Sequence, residues 1–120
     1  MKKIFLILIF SFISLFAFDH LSPDNIDKKL KGKNAIVDFY ATWCPPCKVL
    51  AENLISFDKV KPSNVVIYKV DIDQHMDLAK RYNVRSLPTL VYFKDGKVVA
   101  KEVGIKDESE LLANSKEYFK

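Results

Sequence analysis

The chain contains two cysteines, Cys44 and Cys47, separated by two residues. Cysteines at this spacing can close a small disulfide ring or bind a metal, and the spacing alone does not choose between them. A structural zinc site needs four ligands, and the only histidines, His20 and His75, lack the paired spacing of zinc fingers. A purely structural disulfide is also disfavoured, because closing so small a loop removes little entropy from the unfolded chain. The pair is therefore interpreted as a reactive centre.

The residues between the cysteines are Pro45 and Pro46. Proline is well tolerated in the first turn of a helix, so a helix is predicted to begin at about Cys44. Free backbone N–H groups in that turn, that of Cys47 among them, should point toward the Cys44 sulfur, and the helix dipole favours a thiolate there. Cys44 is therefore expected to be the nucleophile. Cys47 should lie deeper and resolve the mixed disulfide that Cys44 forms with a substrate.

Asp38 interrupts a short apolar run at residues 35–40 that leads toward the cysteines. The run is typical of a strand that is buried on both faces. A carboxylate in such a strand is costly unless it is hydrogen-bonded or neutral, and burial raises its pKa. A perturbed carboxyl group next to a reactive pair is a candidate functional residue.

Three stretches together resemble the thioredoxin family. Residues 37–48 are similar to the family's strand and active-site segment, with Pro45 where the family usually has glycine. Residues 85–89, Arg-Ser-Leu-Pro-Thr, are similar to its cis-proline loop, and residues 94–104 to its hairpin and following glycine. The resemblance runs from about Phe18 to the C-terminus. It implies an α/β thioredoxin fold with a central mixed β-sheet flanked by helices.

The pattern of apolar residues and turn signals predicts a short first strand followed by the order αβαβαββα. Helices are predicted at residues 22–30, from about 44 to before 62, at 76–82 and at 107–119, and strands at 35–40, 65–71, 89–93 and 97–103. The first helix is expected to have Ser22 as its N-cap and Pro23 at its first position. No repeats or linkers interrupt the chain, which indicates one domain at residues 18–120.

The resemblance also implies roles for residues near the cysteines. Asp38 would lie behind Cys47 and help to move the proton of that thiol, directly or through water. Lys69 matches the lysine that neighbours this aspartate in the family. The alternative for Lys69 is a solvent-exposed charge at a strand edge, since its burial cannot be judged from the sequence.

The residues implied to contact substrate surround the cysteines. A cis bond between Leu87 and Pro88 would turn that loop against the pair, so that the Leu87 backbone can pair with an extended substrate peptide. Trp43 would form an apolar wall beside Cys44. The alternatives are an ordinary trans turn at Pro88 and core packing of Trp43. The implied substrate-binding set is Trp43, Pro45, Pro46, Leu87, Pro88, Val103 and Gly104.

The N-terminal segment has the pattern of a secretory signal. Lys2 and Lys3 supply a positive region, and the fifteen residues 4–18 carry no charge. This length is short for a membrane span, which needs ~20 residues, but it suits the apolar region of a signal peptide. We therefore expect a signal peptide at residues 1–17, or an uncleaved N-terminal anchor. The domain at residues 18–120 is expected to be periplasmic or otherwise extracytoplasmic, and membrane-anchored if the signal is uncleaved.

The charge balance indicates no nucleic-acid partner. Two of the 19 basic residues lie in the signal, which leaves 17 against 15 acidic residues, a net charge of +2. Such a balance favours no particular class of partner. The resemblance implies a monomer that acts on protein disulfides, with no cofactor or metal beyond the redox-active Cys44–Cys47 disulfide.

The resemblance implies thiol–disulfide exchange, and its direction depends on the residues between the cysteines. Oxidising relatives usually place a histidine there, whereas Pro45 and Pro46 offer neither a charge nor an N–H. We expect a modestly lowered Cys44 pKa and a reduction potential nearer the reducing end of the range from about −270 to about −120 mV. Sixteen residues between Asp71 and Pro88 leave no room for the helical insertion of periplasmic oxidases.

The first hypothesis is an exported reductase of protein disulfides that receives electrons from a membrane thiol donor. Its substrates could include apocytochrome cysteines, in support of cytochrome c maturation. One alternative is an oxidase or isomerase that uses the same residues in the opposite direction. Another is a non-catalytic module that holds extended peptides in the Pro88 groove, since a fold alone does not fix a function.

Overall fold

The computed structural model describes residues 18–120, so the expected signal or anchor at residues 1–17 lies outside the described residues. The elements in chain order are β1 (Asp19–His20), α1 (Ile26–Leu30), β2 (Asn34–Tyr40), α2 (Pro45–Asp58), β3 (Val65–Asp71), α3 (Met76–Arg81), β4 (Thr89–Lys94), β5 (Lys97–Val103) and α4 (Glu108–Tyr118). Across residues 18–120, no helix is long and apolar enough to cross a membrane.

Residues 18–120 contain five strands, which form one mixed sheet in the order β1-β3-β2-β4-β5. Strands β1, β3 and β2 are parallel, and β4 and β5 are antiparallel to their neighbours. The expected central mixed sheet flanked by helices is therefore confirmed. Strand β2 lies at the centre of the sheet, and its Asp38 pairs with Lys69 of β3 on one side and with Leu90 of β4 on the other. The carboxyl ends of β2 and β3 meet at one edge of the sheet, and α2 begins there.

Strand β2 contributes to both faces of the sheet, which explains its continuous apolar run. Ala35, Val37 and Phe39 belong to the core on the face covered by α1 and α3. Ile36 belongs to the core on the face covered by α2 and α4. Because side chains alternate along a strand, Asp38 lies on the Ile36 face, beneath the helix that carries the cysteines.

Helix α4 covers the same face as α2. Its N-cap is Asp107, whose carboxylate accepts the backbone N–H of Glu110 at 2.8 Å in a reciprocal capping box. Leu111 is fully buried in the core beneath α2, and Leu112 and Tyr118 are partly buried against it. These three residues of α4 therefore face the sheet.

The predicted start of the first helix is wrong. Helix α1 begins at Ile26, because residues 22–25 form a turn in which the Ser22 carbonyl accepts the N–H groups of Asn25 and Ile26. The Asn25 side chain in turn accepts the Ser22 N–H at 2.8 Å. These bonds resemble those at a helix N-terminus, but the continuous series of helical bonds begins only at the Asn25 carbonyl, which accepts the Lys29 N–H, so the residues from Ser22 to Asn25 form a turn that precedes the helix. All strand limits agree with the predictions to within one residue. So do the other helix limits for which a specific residue was predicted.

Candidate active site

The two cysteines are joined in a disulfide at the N-terminus of α2. Cys44 is the N-cap, with Pro45 and Pro46 in the first turn, so the predicted helix start is confirmed. The Cys47 backbone N–H donates to the Cys44 Sγ, with an N–S distance of 3.3 Å. The same N–H and the positive end of the helix dipole are placed to stabilise a thiolate at Cys44 once the disulfide is reduced.

Burial does not separate the two cysteines, which differs from the expectation that Cys47 lies deeper. Cys44 is 4% exposed and Cys47 3% exposed, and both pack with Ala41 and the partly buried Leu87. The assignment of Cys44 as nucleophile therefore depends on its N-cap position and not on its exposure.

Trp43 lies on the rim of the site. Its side chain is 65% exposed, which excludes core packing, and its indole N–H donates to Asp73 Oδ2 at 2.8 Å. Asp73 follows β3, and sequence reasoning did not identify it. The signal was available, because residues that follow two neighbouring parallel strands meet at the same edge of a sheet. This hydrogen bond fixes the orientation of the indole beside Cys44.

The Pro88 loop and the end of β5 form another part of the rim. The Leu87–Pro88 peptide bond is cis. The Gly104 N–H donates to the Pro88 carbonyl at 2.9 Å, and Gly104 has a φ of +94°, a conformation that side chains disfavour. Val103, which pairs with Thr89, is 58% exposed. The structure thus joins these two implied substrate-binding segments next to the cysteines.

Asp38 is fully buried beneath the cysteine helix. Among residues 18–120, neither of its carboxylate oxygens has a hydrogen-bond partner. Burial raises the pKa of Asp38 to about 7, and the positive charge of Lys69 opposes the rise. Lys69 Nζ lies 4.0 Å from Asp38 Oδ2, and the Lys69 side chain is 17% exposed. The alternative of a lysine extended into solvent is therefore excluded.

A cleft of about 230 Å³ opens beside the cysteine helix. It is lined by Tyr40, Ala41, Thr42, Cys47, Lys48, Ala51 and Lys69. Cys47 and Lys69 therefore border the same space, and Lys69 connects that space to the buried Asp38. The arrangement can pass a proton between the Cys47 thiol and the Asp38 carboxylate through water.

Tyr40 and His20 are two further residues of this region that sequence reasoning did not assign to the site. Lys69 Nζ lies 4.3 Å from the centroid of the Tyr40 ring. His20 Nε2 and the Tyr40 hydroxyl are 2.7 Å apart and share a hydrogen bond. No sequence signal identifies these contacts, because they depend on the register of three strands. Among the residues that the structure describes, no group of histidine, cysteine or acidic side chains could hold a metal ion.

Comparisons with known proteins agree with this geometry. The sequence profile described as Thioredoxin matches residues 17–117. The mitochondrial thioredoxin of Mus musculus is 46% identical over 92 residues, which cover 76% of this chain and 55% of that protein. The chain thus spans about half the length of the mitochondrial relatives that it matches. The thioredoxin of Chlamydia caviae is 42% identical over 92 residues, which cover 77% of this chain and 89% of that protein.

Solved structures show the same fold. The thioredoxin of Malassezia sympodialis superimposes with a TM-score of 0.73 at 33% identity, over 85% of this chain and 90% of that one. Chloroplastic thioredoxin z superimposes with a TM-score of 0.75 at 23% identity, over 85% of this chain and 94% of that one. The second similarity concerns the fold alone.

Proposed function

The chain belongs to the thioredoxin family, whose members are thiol–disulfide oxidoreductases that use a cysteine disulfide and no cofactor, and from this premise we propose that it reduces disulfides of protein substrates. The observation that carries the proposal is the position of Cys44. Its sulfur accepts the Cys47 N–H at 3.3 Å at the N-terminus of a 14-residue helix. That environment favours the thiolate over the thiol, and the thiolate is the attacking species in disulfide exchange.

The reaction begins from the reduced dithiol. The Cys44 thiolate attacks one sulfur of the substrate disulfide, forming a mixed disulfide and releasing the other substrate sulfur as a thiolate that takes up a proton. Cys47 then loses its proton and attacks the Cys44 sulfur. The mixed disulfide breaks, the Cys44–Cys47 disulfide forms, and the second substrate sulfur leaves as a thiolate. Two electrons pass from the dithiol to the substrate, and a second dithiol must restore them.

We propose that Asp38 accepts the proton that Cys47 loses. A base works best when its pKa lies near the operating pH, and burial places the pKa of Asp38 at about 7. The cleft that Cys47 and Lys69 share supplies a solvent route, and the Lys69 ammonium stabilises the carboxylate once the proton leaves. Asp38 and Lys69 thus act on the resolving step, whereas the α2 N-terminus acts on the attacking step.

The rim around the cysteines is the proposed binding surface for an extended peptide. Trp43 and Val103 are exposed apolar side chains on two sides of the site. Between them, the backbone of Leu87 can pair with a substrate strand, as in other cases of strand addition. Pro45 and Pro46 are exposed and complete the surface next to Cys44. The protein is proposed to bind such peptides as a monomer.

We further propose that residues 1–17 direct export and that the domain works outside the cytoplasm. The support is Lys2 and Lys3 followed by fifteen uncharged residues. An oxidising compartment keeps exposed dithiols oxidised, so a reductase there needs a membrane thiol donor. Apocytochrome cysteines are one class of substrate for such an enzyme. Fractionation of expressing bacterial cells, followed by N-terminal sequencing, tests this proposal. Recovery of the chain in the cytoplasm with Met1 intact would contradict it.

Export also favours an alternative in which the same residues carry out thiol–disulfide exchange in the opposite direction. An oxidising compartment suits such a disulfide oxidase or isomerase. The reduction potential separates these functions. A non-catalytic peptide-binding module is disfavoured, because Cys44, Cys47, Asp38 and Pro88 lie together in one site.

The experiment that tests the catalytic proposal is mixed-disulfide trapping with the full-length protein. Cys47→Ser should accumulate mixed disulfides with oxidised protein substrates, and dithiothreitol should release them, because the attacking thiol remains and the resolving thiol is gone. Cys44→Ser is the matched control and should accumulate far fewer. Equal and negligible trapping by both variants would contradict the enzyme and favour the peptide-binding module.

A further inference from the structure

We propose that Tyr40 is a positioning residue for the pair formed by Asp38 and Lys69. Its ring holds the Lys69 ammonium beside Asp38, and its hydrogen bond to His20 holds the ring in place. This inference rests on the proposed function, because it concerns the pair that would accept the Cys47 proton. It adds Tyr40 and His20 to the residues on which the resolving step depends.

The Asp38 carboxylate and the Tyr40 ring both attract the Lys69 ammonium. Its Nζ lies 4.0 Å from Asp38 Oδ2 and 4.3 Å from the centroid of the Tyr40 ring. A cation at this distance from an aromatic face is attracted by the electrons of the ring, and the attraction is larger when solvent is excluded. The ring therefore keeps the flexible Lys69 side chain from turning into the open cleft, which Tyr40 and Lys69 both line.

His20 and Tyr40 lie on the two strands that flank β3, the strand that carries Lys69. On β1, His20 pairs in register with Lys69 of β3, and Asp38 of β2 pairs with the same lysine. Tyr40 of β2 pairs with Asp71, two residues beyond Lys69 on β3, so the 2.7 Å hydrogen bond between His20 Nε2 and the Tyr40 hydroxyl crosses β3 diagonally from the level of Lys69 to that of Asp71. The two rings also meet edge to face, with centroids 5.8 Å apart. This bridge confines the lysine between two strands.

The charged groups around Tyr40 favour its neutral form. Burial, followed by the negative charges of Asp71 and Asp38, raises the pKa of the Tyr40 hydroxyl. Lys48 of α2 borders the same cleft as Tyr40 and Lys69. A neutral phenol retains the hydroxyl that His20 binds and the ring that faces Lys69 across the working pH range.

Removing the ring should release Lys69 and leave Asp38 without the charge that lowers its pKa. Tyr40→Leu keeps the cleft apolar but removes the aromatic face, so the Asp38 pKa should rise. For a cation that moves a few ångströms away, the expected shift is about half to one pH unit. His20→Ala and Tyr40→Phe keep the ring but remove the bridge, and both should shift the pKa in the same direction by less.

The test is a ¹³C NMR titration of the Asp38 carboxyl carbon in the oxidised full-length protein in detergent. The oxidised form has no ionisable cysteine, so the titration reports Asp38 without coupling to the thiols. Asp38→Asn identifies the resonance. Tyr82→Leu is the matched control, because Tyr82 is a partly buried ring with Arg81 5.1 Å from its centroid but does not border the cleft. The Tyr82→Leu variant should leave the titration midpoint of Asp38 unchanged.

Two results would overturn the inference. One is an unchanged or lowered midpoint in a folded Tyr40→Leu variant, and the other is an unchanged midpoint in both bridge variants. If Tyr40→Leu does not fold, the His20→Ala variant decides, since His20 is exposed and its loss leaves the core intact.

A second measurement separates this inference from the proposed function. The pH profile of substrate reduction should move to higher pH by the same amount as the Asp38 midpoint. If the midpoint moves and the profile does not, Tyr40 still positions Lys69 and the proton-accepting role of Asp38 fails. If neither moves while Cys47→Ser still traps substrates, the positioning role fails and the reductase stands.

Discussion

Asp38 combines a fully buried carboxylate with a cationic neighbour, Lys69. Its position could be predicted from the sequence, because a lone acid within an apolar strand run stands out. The sequence could not show that Lys69 approaches to 4.0 Å, since that distance depends on the register of β2 and β3. Tyr40 was missed for the same reason, because its partners His20 and Lys69 lie on other strands and leave no local pattern. Asp73 was missed although its position just after β3, beside the end of β2, was a usable signal.

The raised pKa of Asp38 makes stability depend on pH. In the folded protein the pKa rises from 3.8 to about 7, so the native state binds the proton more tightly than the unfolded chain does. The free energy of unfolding should therefore be highest below the ordinary pKa and fall as pH rises toward 7. Asp38→Asn does not titrate, so relative to wild type it should gain stability across this window, by up to about 4 kcal/mol.

Urea unfolding of the oxidised protein at pH 4.5 and pH 8 measures this difference. Asp24→Asn, at an exposed turn, is the control and should show the same pH dependence as wild type. An equal gain for Asp38→Asn at both pH values would contradict the raised pKa.

The bond between Trp43 and Asp73 should affect large substrates selectively. A single hydrogen bond contributes about 1 kcal/mol, so Asp73→Ala should lower kcat/KM for a protein disulfide by roughly fivefold. A small aromatic disulfide that reacts without the rim should be reduced at the wild-type rate. Asp77→Ala is the control, because the Asp77 side chain accepts only the backbone N–H of Leu78 among residues 18–120. Equal losses on both substrates would show that Asp73 acts on the chemistry and not on the rim.

At the scale of elements, the sequence predicted helix α2 well and helix α1 poorly. Two prolines after Cys44 permit few conformations other than a helical first turn, so the local sequence determines the start of α2. At α1, Ser22 and Pro23 are equally compatible with a cap and with a turn. The continuous series of helical bonds begins only at the Asn25 carbonyl, and no simple pattern separates the two outcomes.

The first turn of α2 should control the reduction potential. Pro46→His restores a backbone N–H and adds a donor near Cys44, which stabilises the thiolate and therefore the reduced form. A decrease of one unit in the Cys44 pKa corresponds to an increase of about 30 mV in the potential. Equilibration with dithiothreitol measures the change, and Pro46→Ala isolates the contribution of the N–H. An unchanged or more negative potential in Pro46→His would contradict this account.

Helix α4 should stabilise the fold without changing the site. Leu111 is fully buried beneath α2, and truncation of such a leucine lowers the free energy of unfolding by about 2–5 kcal/mol. Leu111→Ala should therefore unfold at lower urea concentration and keep the wild-type potential. Leu112→Ala, at a partly buried position, should have a smaller effect. A large shift in potential would show that α4 also determines the geometry of the cysteines.

At the scale of the whole molecule, the order of the strands in the sheet could be predicted from the family resemblance but not from local patterns. Periodicity predicts the strands one by one, but the order β1-β3-β2-β4-β5 follows only from the family fold. That order places the ends of β2 and β3 side by side, which brings Lys69 to Asp38 and Asp73 to Trp43. The signal or anchor at residues 1–17 stays a prediction.

The central claim is that this chain is a reductase, and its reduction potential tests that claim most directly. The measurement equilibrates the full-length protein, in detergent, with dithiothreitol redox buffers and quantifies the Cys44–Cys47 disulfide. Because the two prolines add neither a charge nor an N–H beside Cys44, the potential should lie near the reducing end, at about −270 mV. A potential near the oxidising end, at about −120 mV, would contradict the reductase and make disulfide formation the function.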